Sequence, residues 1–322
     1  MQRLAGRFRR SVATPPFETQ SSLFDAKLDE RAPRKMNTCA VVVTYFPDQG
    51  FPNRLRAIHS QVGHVIVVDN ASGDESFSHV KSAELQLGCE VIRNTDNLGI
   101  ATALNQGMKR ALDGGFEWAL LLDQDTTPSE KMVQTLSEAY EEFPHKDRLA
   151  LIGSSYFSHP DLNNAPQKTR SWVERKTVIT SGSLIPLATF NRIGPFRDEL
   201  FIDCVDFEYC LRARSVDLTV IEVTTPVMQH RIGNPKNHRL PWAKRESSHH
   251  CAWRWYYMNR NHAFLVRKYV WKEPVWVLKA AYSRIRLTVL MLLWEESRLT
   301  KLKYALIGLF DSAMGRFGRR FT

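Results

Sequence analysis

The stretch Leu120-Leu-Leu-Asp-Gln-Asp-Thr126 decides how the rest of this chain reads. With Trp118 and Ala119 ahead of it, the apolar run has the composition of a buried strand. It ends abruptly in two carboxylates, Asp123 and Asp125, and Pro128 closes the exit. Residues i and i+2 of an extended backbone face the same way, so both acids can address one point beyond the strand's carboxyl end. An open α/β sheet places its ligand there. Two adjacent carboxylates repel, and one pKa would rise unless a cation lay between them. A hard divalent ion, Mg²⁺ or Mn²⁺, held by few protein oxygens and completed by phosphates, meets that need. The plain alternative is an acidic strand-to-helix turn in which Asp125 or Thr126 caps a helix over Met132–Tyr140, and the spacing alone leaves both readings open.

Working outward, Cys39–Tyr45 is a β-branched run that reads as a central parallel strand, and Val65–Asp69 repeats the pattern before Asn70-Ala-Ser-Gly-Asp74 turns the chain. Leu55–Gln61 fits a crossover helix, and Glu90–Arg93 a third strand. A helix through Leu112 follows Asn97-Leu-Gly99, with Ala103, Leu104, Met108 and Ala111 on its inner side. Strands alternating with helices predict a right-handed, doubly wound α/β sheet. Neither a Gly-x-Gly-x-x-Gly fingerprint nor a P-loop is present. Ala150–Ser154, Thr177–Leu184 and Val220–Val223 read as further strands. Gly182 interrupts the second of these, as a bulge or a close approach of backbone or ligand does.

The chain has 322 residues, enough for one large core or two modest ones, and a net charge of +10. That charge is segregated. Residues 250–322 hold 14 Lys and Arg against 4 Asp and Glu, the first 36 residues hold 8 against 4, and the middle is mildly acidic. Clustered positive charge points to an anionic membrane surface or nucleic acid. No groove-reading motif accompanies it, so nucleic acid is not expected as a partner. The five cysteines show no Cys-x-x-Cys pairing, which fits a reduced, cytoplasmic compartment. Three regions are expected: a disordered basic arm over 1–36, a catalytic domain over 37–249, and a basic, amphipathic helical region over 250–322. In the last of these, Leu302, Ala305, Leu306, Leu309 and Phe310 fit a helical template with Lys301 and Lys303 off that face. The largely apolar run Leu287–Trp294 is too short to span a bilayer and suits its interface, with Trp271 and Trp276 near by; the alternative is that these helices pack on the core or on a second subunit.

Five polar clusters fall at loop ends of the one predicted sheet: Thr44-Tyr45; Asp69-Asn70; Asn97, Gly99 and Asn105; Asp123 with Asp125; and Phe201-Ile-Asp-Cys-Val-Asp-Phe-Glu208, with His230 after them. Together with Val-Val-Thr-Tyr45, Val-Val-Asp-Asn-Ala-Ser72, Asn94-Thr-Asp-Asn-Leu-Gly-Ile-Ala101, Thr180-Ser-Gly-Ser183, the Asp203–Arg212 stretch and Tyr256-Tyr-Met-Asn-Arg-Asn261, they make the sequence resemble the family 2 glycosyltransferases, in particular their bacterial rhamnosyltransferase branch. The resemblance implies an A-type glycosyltransferase fold, a Rossmann-like, mostly parallel sheet flanked by helices. It implies a nucleotide-diphospho-sugar donor set against Thr44, Tyr45, Asp69 and Asn97, with Asn105 near by. Asp123 would then lie near ribose and metal, Asp125 would bind the metal, and His230 would be a third ligand or phosphate donor. Gly182 joins the substrate-binding set.

Inversion needs a carboxylate across the sugar from the leaving group. Aligned through Arg212, Asp206 takes that place, and Asp203 is its runner-up, on the same face if the stretch is helical. The expected reaction is metal-dependent transfer of L-rhamnose from dTDP-L-rhamnose to a cell-surface polysaccharide or lipid-linked glycan acceptor. The alternatives are a UDP-hexose or UDP-furanose donor, or a silent glycan- or membrane-binding protein of the same fold. An oligomer is compatible with the sequence.

Overall fold

The computed structural model of the chain describes residues 32–157, 170–229, 236–240, 243–247 and 250–321. His230, nearly all of the basic arm and the stretch 158–169 lie outside them. The first half is built as the alternating pattern predicts: β1 (Thr38–Thr44), α1 (Phe51–His59), β2 (His64–Asp69), α2 (Asp74–Leu87), β3 (Glu90–Arg93), α3 (Ile100–Asp113) and β4 (Trp118–Asp123). The four strands run parallel in the order β3-β2-β1-β4. Every residue of β1 is buried, because helices cover both faces. Successive side chains therefore enter opposite layers. Val42, Val65, Val67 and Leu120 pack under α1 and α2, whereas Val41, Val43, Ile66 and Leu121 pack against α3.

The second half departs from the expectation of a mostly parallel sheet. It comprises β5 (Thr127–Pro128), α4 (Met132–Glu142), β6 (Leu149–Phe157), β7 (Trp172–Arg175), β8 (Ser183–Pro186), α5 (Leu187–Ile193), α6 (Val205–Arg214) and β9 (Thr219–Gln229). The sheet continues β4-β8-β6-β9-β5 with β7 beside β9. Strand β8 is antiparallel to both its neighbours, and β9 is parallel to β6. Of the predicted strand Thr177–Leu184 only Ser183 and Leu184 lie in a strand, the start of β8. Gly182 precedes it at φ +79°, where an added Cβ would strike Ser154 and Met228.

A hairpin of β10 (Lys236–Leu240) and β11 (Ala243–Ser247) leads to three helices, α7 (Ala252–Tyr269), α8 (Pro274–Trp294) and α9 (Arg298–Ala313). These are built into the body formed by the two halves. Buried Arg260 of α7 donates to the carbonyls of Glu199, Leu200 and Gly318. The apolar face read for α9 turns outward, apart from Ala305. Lys301, Ala305, Gly308, Asp311 and Ser312 are buried, and Leu306, Leu309 and Phe310 face outward. Lys301 can turn inward because it meets Glu295 at 2.8 Å, and Gly308 leaves room for the Tyr256 carbonyl.

Candidate active site

Register places the polar clusters on one rim. Thr44 pairs with Asp69, and Val43 with Asp123, so the carboxyl ends of β2, β1 and β4 lie side by side. The chain fills the sheet in one direction from β1 through β2 to β3, then returns to add β4 on the other side. The rim at β1 is thus the switch point at which such sheets bind ligands.

The β1–β2 side is tightly hydrogen-bonded. Buried Asp69 accepts the hydroxyls of Thr44 (2.9 Å) and Ser72 (2.6 Å) on Oδ1 and the Ser72 N–H (3.0 Å) on Oδ2. Asn70 donates to Asn97 Oδ1 and the Gly99 carbonyl, and accepts from Asn94 and the Leu98 N–H. The Tyr45 ring stands exposed at the mouth, and its backbone is clamped by Gln124, which accepts the Tyr45 N–H and donates to its carbonyl. Asn105 has another engagement: it donates to Asp198 and the Phe196 carbonyl and accepts the Phe196 N–H, pinning that loop to α3.

At the end of β4, Asp123 is half-buried and Asp125 exposed. Ser181 supports this turn, accepting the Asp123 N–H and sharing a 2.5 Å hydrogen bond with Thr126. Helix α4 starts at Met132 with Lys131 before it and no side-chain cap, so neither Asp125 nor Thr126 serves the capping role that composition allowed. Two rim carboxylates offer hard oxygen donors of the kind Mg²⁺ and Mn²⁺ prefer. Among the described residues no group of three His, Cys, Asp or Glu side chains converges to complete such a site, and His230 lies outside them.

The third wall is the segment before α6. Phe201, Asp203 and Cys204 all have positive φ, between 63° and 65°, and each such non-glycine residue costs about 1–3 kcal/mol. Asn261 of α7 holds the strained turn, donating to the carbonyls of Leu200, Ile202 and Asp203 at 2.8–2.9 Å. Gly99, at φ +86°, lies against Phe201 with no room for a Cβ, and the Phe201 carbonyl accepts the Ile100 N–H that opens α3. The two walls are thereby joined.

Helix α6 begins at Val205, so Asp203 precedes it and does not share a helical face with Asp206. The two acids have different company. Asp203 is gripped by the Arg254 guanidinium at 3.1–3.3 Å, and its charge, together with that of Asp123, raises the arginine's pKa. Asp206 has no ion pair among the described residues. It borders a void of about 10 Å³ lined by Leu121, Val178, Phe196 and Tyr209. Burial, reinforced by the charges of Asp203 and Asp123, pushes its carboxyl up to about 7 despite a hydrogen bond from the Phe207 N–H. Asp206 and Asp123 therefore lie close enough to feel each other's charge. A larger cleft of about 540 Å³, lined by Lys35, Gln61, Glu130 and Glu138, includes none of the predicted site residues. Sequence reasoning missed Arg254, Gln124 and the clamp role of Asn261. The Trp253-Arg254-Trp255 triplet carries no acid that would flag it, and its partner lies 51 residues upstream.

Comparison with known proteins agrees with this geometry. The Glycosyl transferase family 2 model matches residues 39–197, from β1 to just before the Asp203–Asp206 segment. The dTDP-rhamnosyl transferase RfbF of Shigella flexneri is 26% identical over 297 residues, 88% of this chain and 97% of that protein. Among solved structures, the mannosyltransferase PcManGT from Pyrobaculum calidifontis, in complex with GDP-Man and Mn²⁺, aligns with TM-score 0.52 and 16% identity over 88% of this chain and 89% of its own. GalNAc-T7 with UDP, GalNAc and Mn²⁺ aligns with TM-score 0.55 and 12% identity over 87% of this chain and 56% of its own. At such identities the structures speak for the fold, which is the A-type glycosyltransferase fold. The family match over the first half, the relative's alignment over most of the chain, the sheet order and the acidic rim together support a family 2 glycosyltransferase.

Proposed function

We propose that this chain is an inverting, metal-dependent transferase that moves L-rhamnose from dTDP-L-rhamnose to a glycan or lipid-linked acceptor on the cytoplasmic side of a membrane. The observation that carries the reading is Asp206: a desolvated carboxylate without a neutralising cation among the described residues, beside Asp123. Such a group can take a proton near neutral pH, as a general base must. In the proposed step the acceptor hydroxyl attacks the anomeric carbon on the face opposite the diphosphate. The new C–O bond forms as the bond to the phosphate oxygen breaks. The nucleoside diphosphate leaves with the electron pair, and the acceptor proton passes to Asp206. Asp203, neutralised by Arg254, keeps that cation at the rim.

The donor sugar is suggested by the relative's activity, and the binding residues by the rim. Asp69 Oδ2 accepts one hydrogen bond from the described residues, leaving it capacity for the imide N–H of thymine or uracil. Tyr45, Asn97 and Gly182 belong to the same proposed donor wall. Asp123 and Asp125 would hold Mg²⁺ or Mn²⁺, with His230 as a third ligand. When bound, such an ion supplies Lewis-acid stabilisation of the departing diphosphate. In calorimetry with dTDP and Mn²⁺, Asp125→Ala is expected to lower metal-dependent affinity at least about 10-fold while leaving the fold intact. Unchanged affinity would remove Asp125 from the site. A thermal-shift series of nucleotide sugars, with and without Mn²⁺, tests the donor: a larger shift with a UDP-sugar than with dTDP-L-rhamnose would favour the alternative donor.

A further inference from the structure

The two last helices carry their apolar residues on the outside. On α8, Val275, Leu278, Tyr282, Ile285, Val289 and Leu293 recur every three or four residues and are 48–71% exposed. That spacing is one continuous helical face. The opposite face of α8 is anchored: Val277, Leu290 and Met291 are buried, and the Trp276 indole N–H donates to Thr177. The outward direction of the stripe is thereby fixed. On α9, the buried side is Lys301, Ala305, Gly308, Asp311 and Ser312, while Leu299, Leu306, Leu309, Phe310 and Met314 are 44–76% exposed. Trp271, in the turn between α7 and α8, is 92% exposed. An apolar surface of this extent calls for a partner.

Charge selects the partner. Between Pro274 and Phe321, seven Lys or Arg side chains are exposed, among them Lys279, Arg286, Arg298 and Lys303, against a single exposed acid, Glu296. The other two acids of this segment are buried and paired, Glu295 with Lys301 and Asp311 with Arg320. A second copy of this chain laid antiparallel on the stripe would bring Lys279 and Arg286 against the same cations. An anionic bilayer would neutralise them. No described helix is long and apolar enough to cross a membrane, so these helices can lie only in its plane.

We propose that the outward faces of α8 and α9 dock into the interface of an anionic bilayer and hold the chain at the membrane surface. The docking rests on these faces alone; that it brings the site to a lipid-linked acceptor rests on the function proposed above.

The test is co-sedimentation of the full chain with vesicles of phosphatidylcholine alone or mixed with phosphatidylglycerol, with dTDP binding measured in parallel. The wild type is expected to pellet with the anionic vesicles and to be released by salt. Leu278→Glu with Ile285→Glu, or Leu306→Glu with Phe310→Glu, is expected to weaken pelleting at least about 10-fold with dTDP affinity unchanged. Lys279→Glu with Arg286→Glu should abolish the preference for phosphatidylglycerol. A wild type that stays in the supernatant would overturn the proposal. So would a solution mass of two chains that falls to one in Leu278→Glu with Ile285→Glu, because that outcome assigns the stripe to a second copy. Intact vesicle binding without dTDP binding would leave the docking standing and count against the donor reading instead.

Discussion

Asp206 and Glu208 share the first turn of α6, yet the two sides of that helix treat a carboxylate in opposite ways. Asp206 faces the rim, where burial and two neighbouring acids drive its pKa up to about 7. Glu208 is fully buried on the other side, where burial alone would also raise its pKa. Arg212, Lys268 and Arg197 outweigh that effect and hold it below the usual range, and Tyr269 adds a hydrogen bond. A buried acid that is ringed by cations is architecture. One left without a cation at a rim is equipped to exchange a proton. The same contrast separates Asp203, tied to Arg254, from Asp206.

The largest expected effect breaks the structural side. Glu208→Gln strands three basic side chains around a neutral amide, and is expected to lower stability by about 3 kcal/mol, read by urea denaturation at pH 7. Because the folded pKa of Glu208 is depressed, its stabilisation is present above the unfolded value near 4.5 and is lost as pH falls through the folded one. The gap between variant and wild type should therefore close in acid.

Asn261→Ala comes next. Losing three hydrogen bonds to the strained turn is expected to cost about 2 kcal/mol and to slow transfer while donor affinity is kept, in a parallel unfolding and calorimetry experiment. The third effect sharpens the comparison, because its pH dependence has the opposite sign. The raised pKa of Asp206 means its favourable state is present below the unfolded value near 3.8 and is lost as pH rises to about 7. Asp206→Asn is expected to match the wild type near pH 4 and to exceed its stability by roughly 1–2 kcal/mol above pH 7.

The donor half of this molecule was legible because its signals are local. A β-branched strand followed by a carboxylate marks Asp69 and Asp123 at a sheet rim without any knowledge of the remainder, and the alternation of strands and helices orders them. The wall across from it is assembled from distant pieces. Asp206 was found by resemblance, but the groups that set its character, Arg254 on Asp203 and Asn261 under the turn, come from α7 and leave no local pattern. On α9 periodicity marks the apolar face but not the way it turns. Lys301, paired with Glu295, and Asp311, paired with Tyr256 and Arg320, occupy the inner side. Asn105 shows the converse: a polar residue grouped with the rim clusters sits within α3 and braces Phe196.

Which carboxylate is the base is tested by comparing Asp206→Asn with Asp203→Asn, measuring the transfer rate alongside dTDP affinity. Asp206→Asn is expected to lower transfer by about 10² or more with affinity unchanged, and wild-type transfer to rise with pH to a plateau above about 7, where Asp206 is ionised. A wild-type rate in Asp206→Asn, with the loss falling on Asp203→Asn instead, would contradict it.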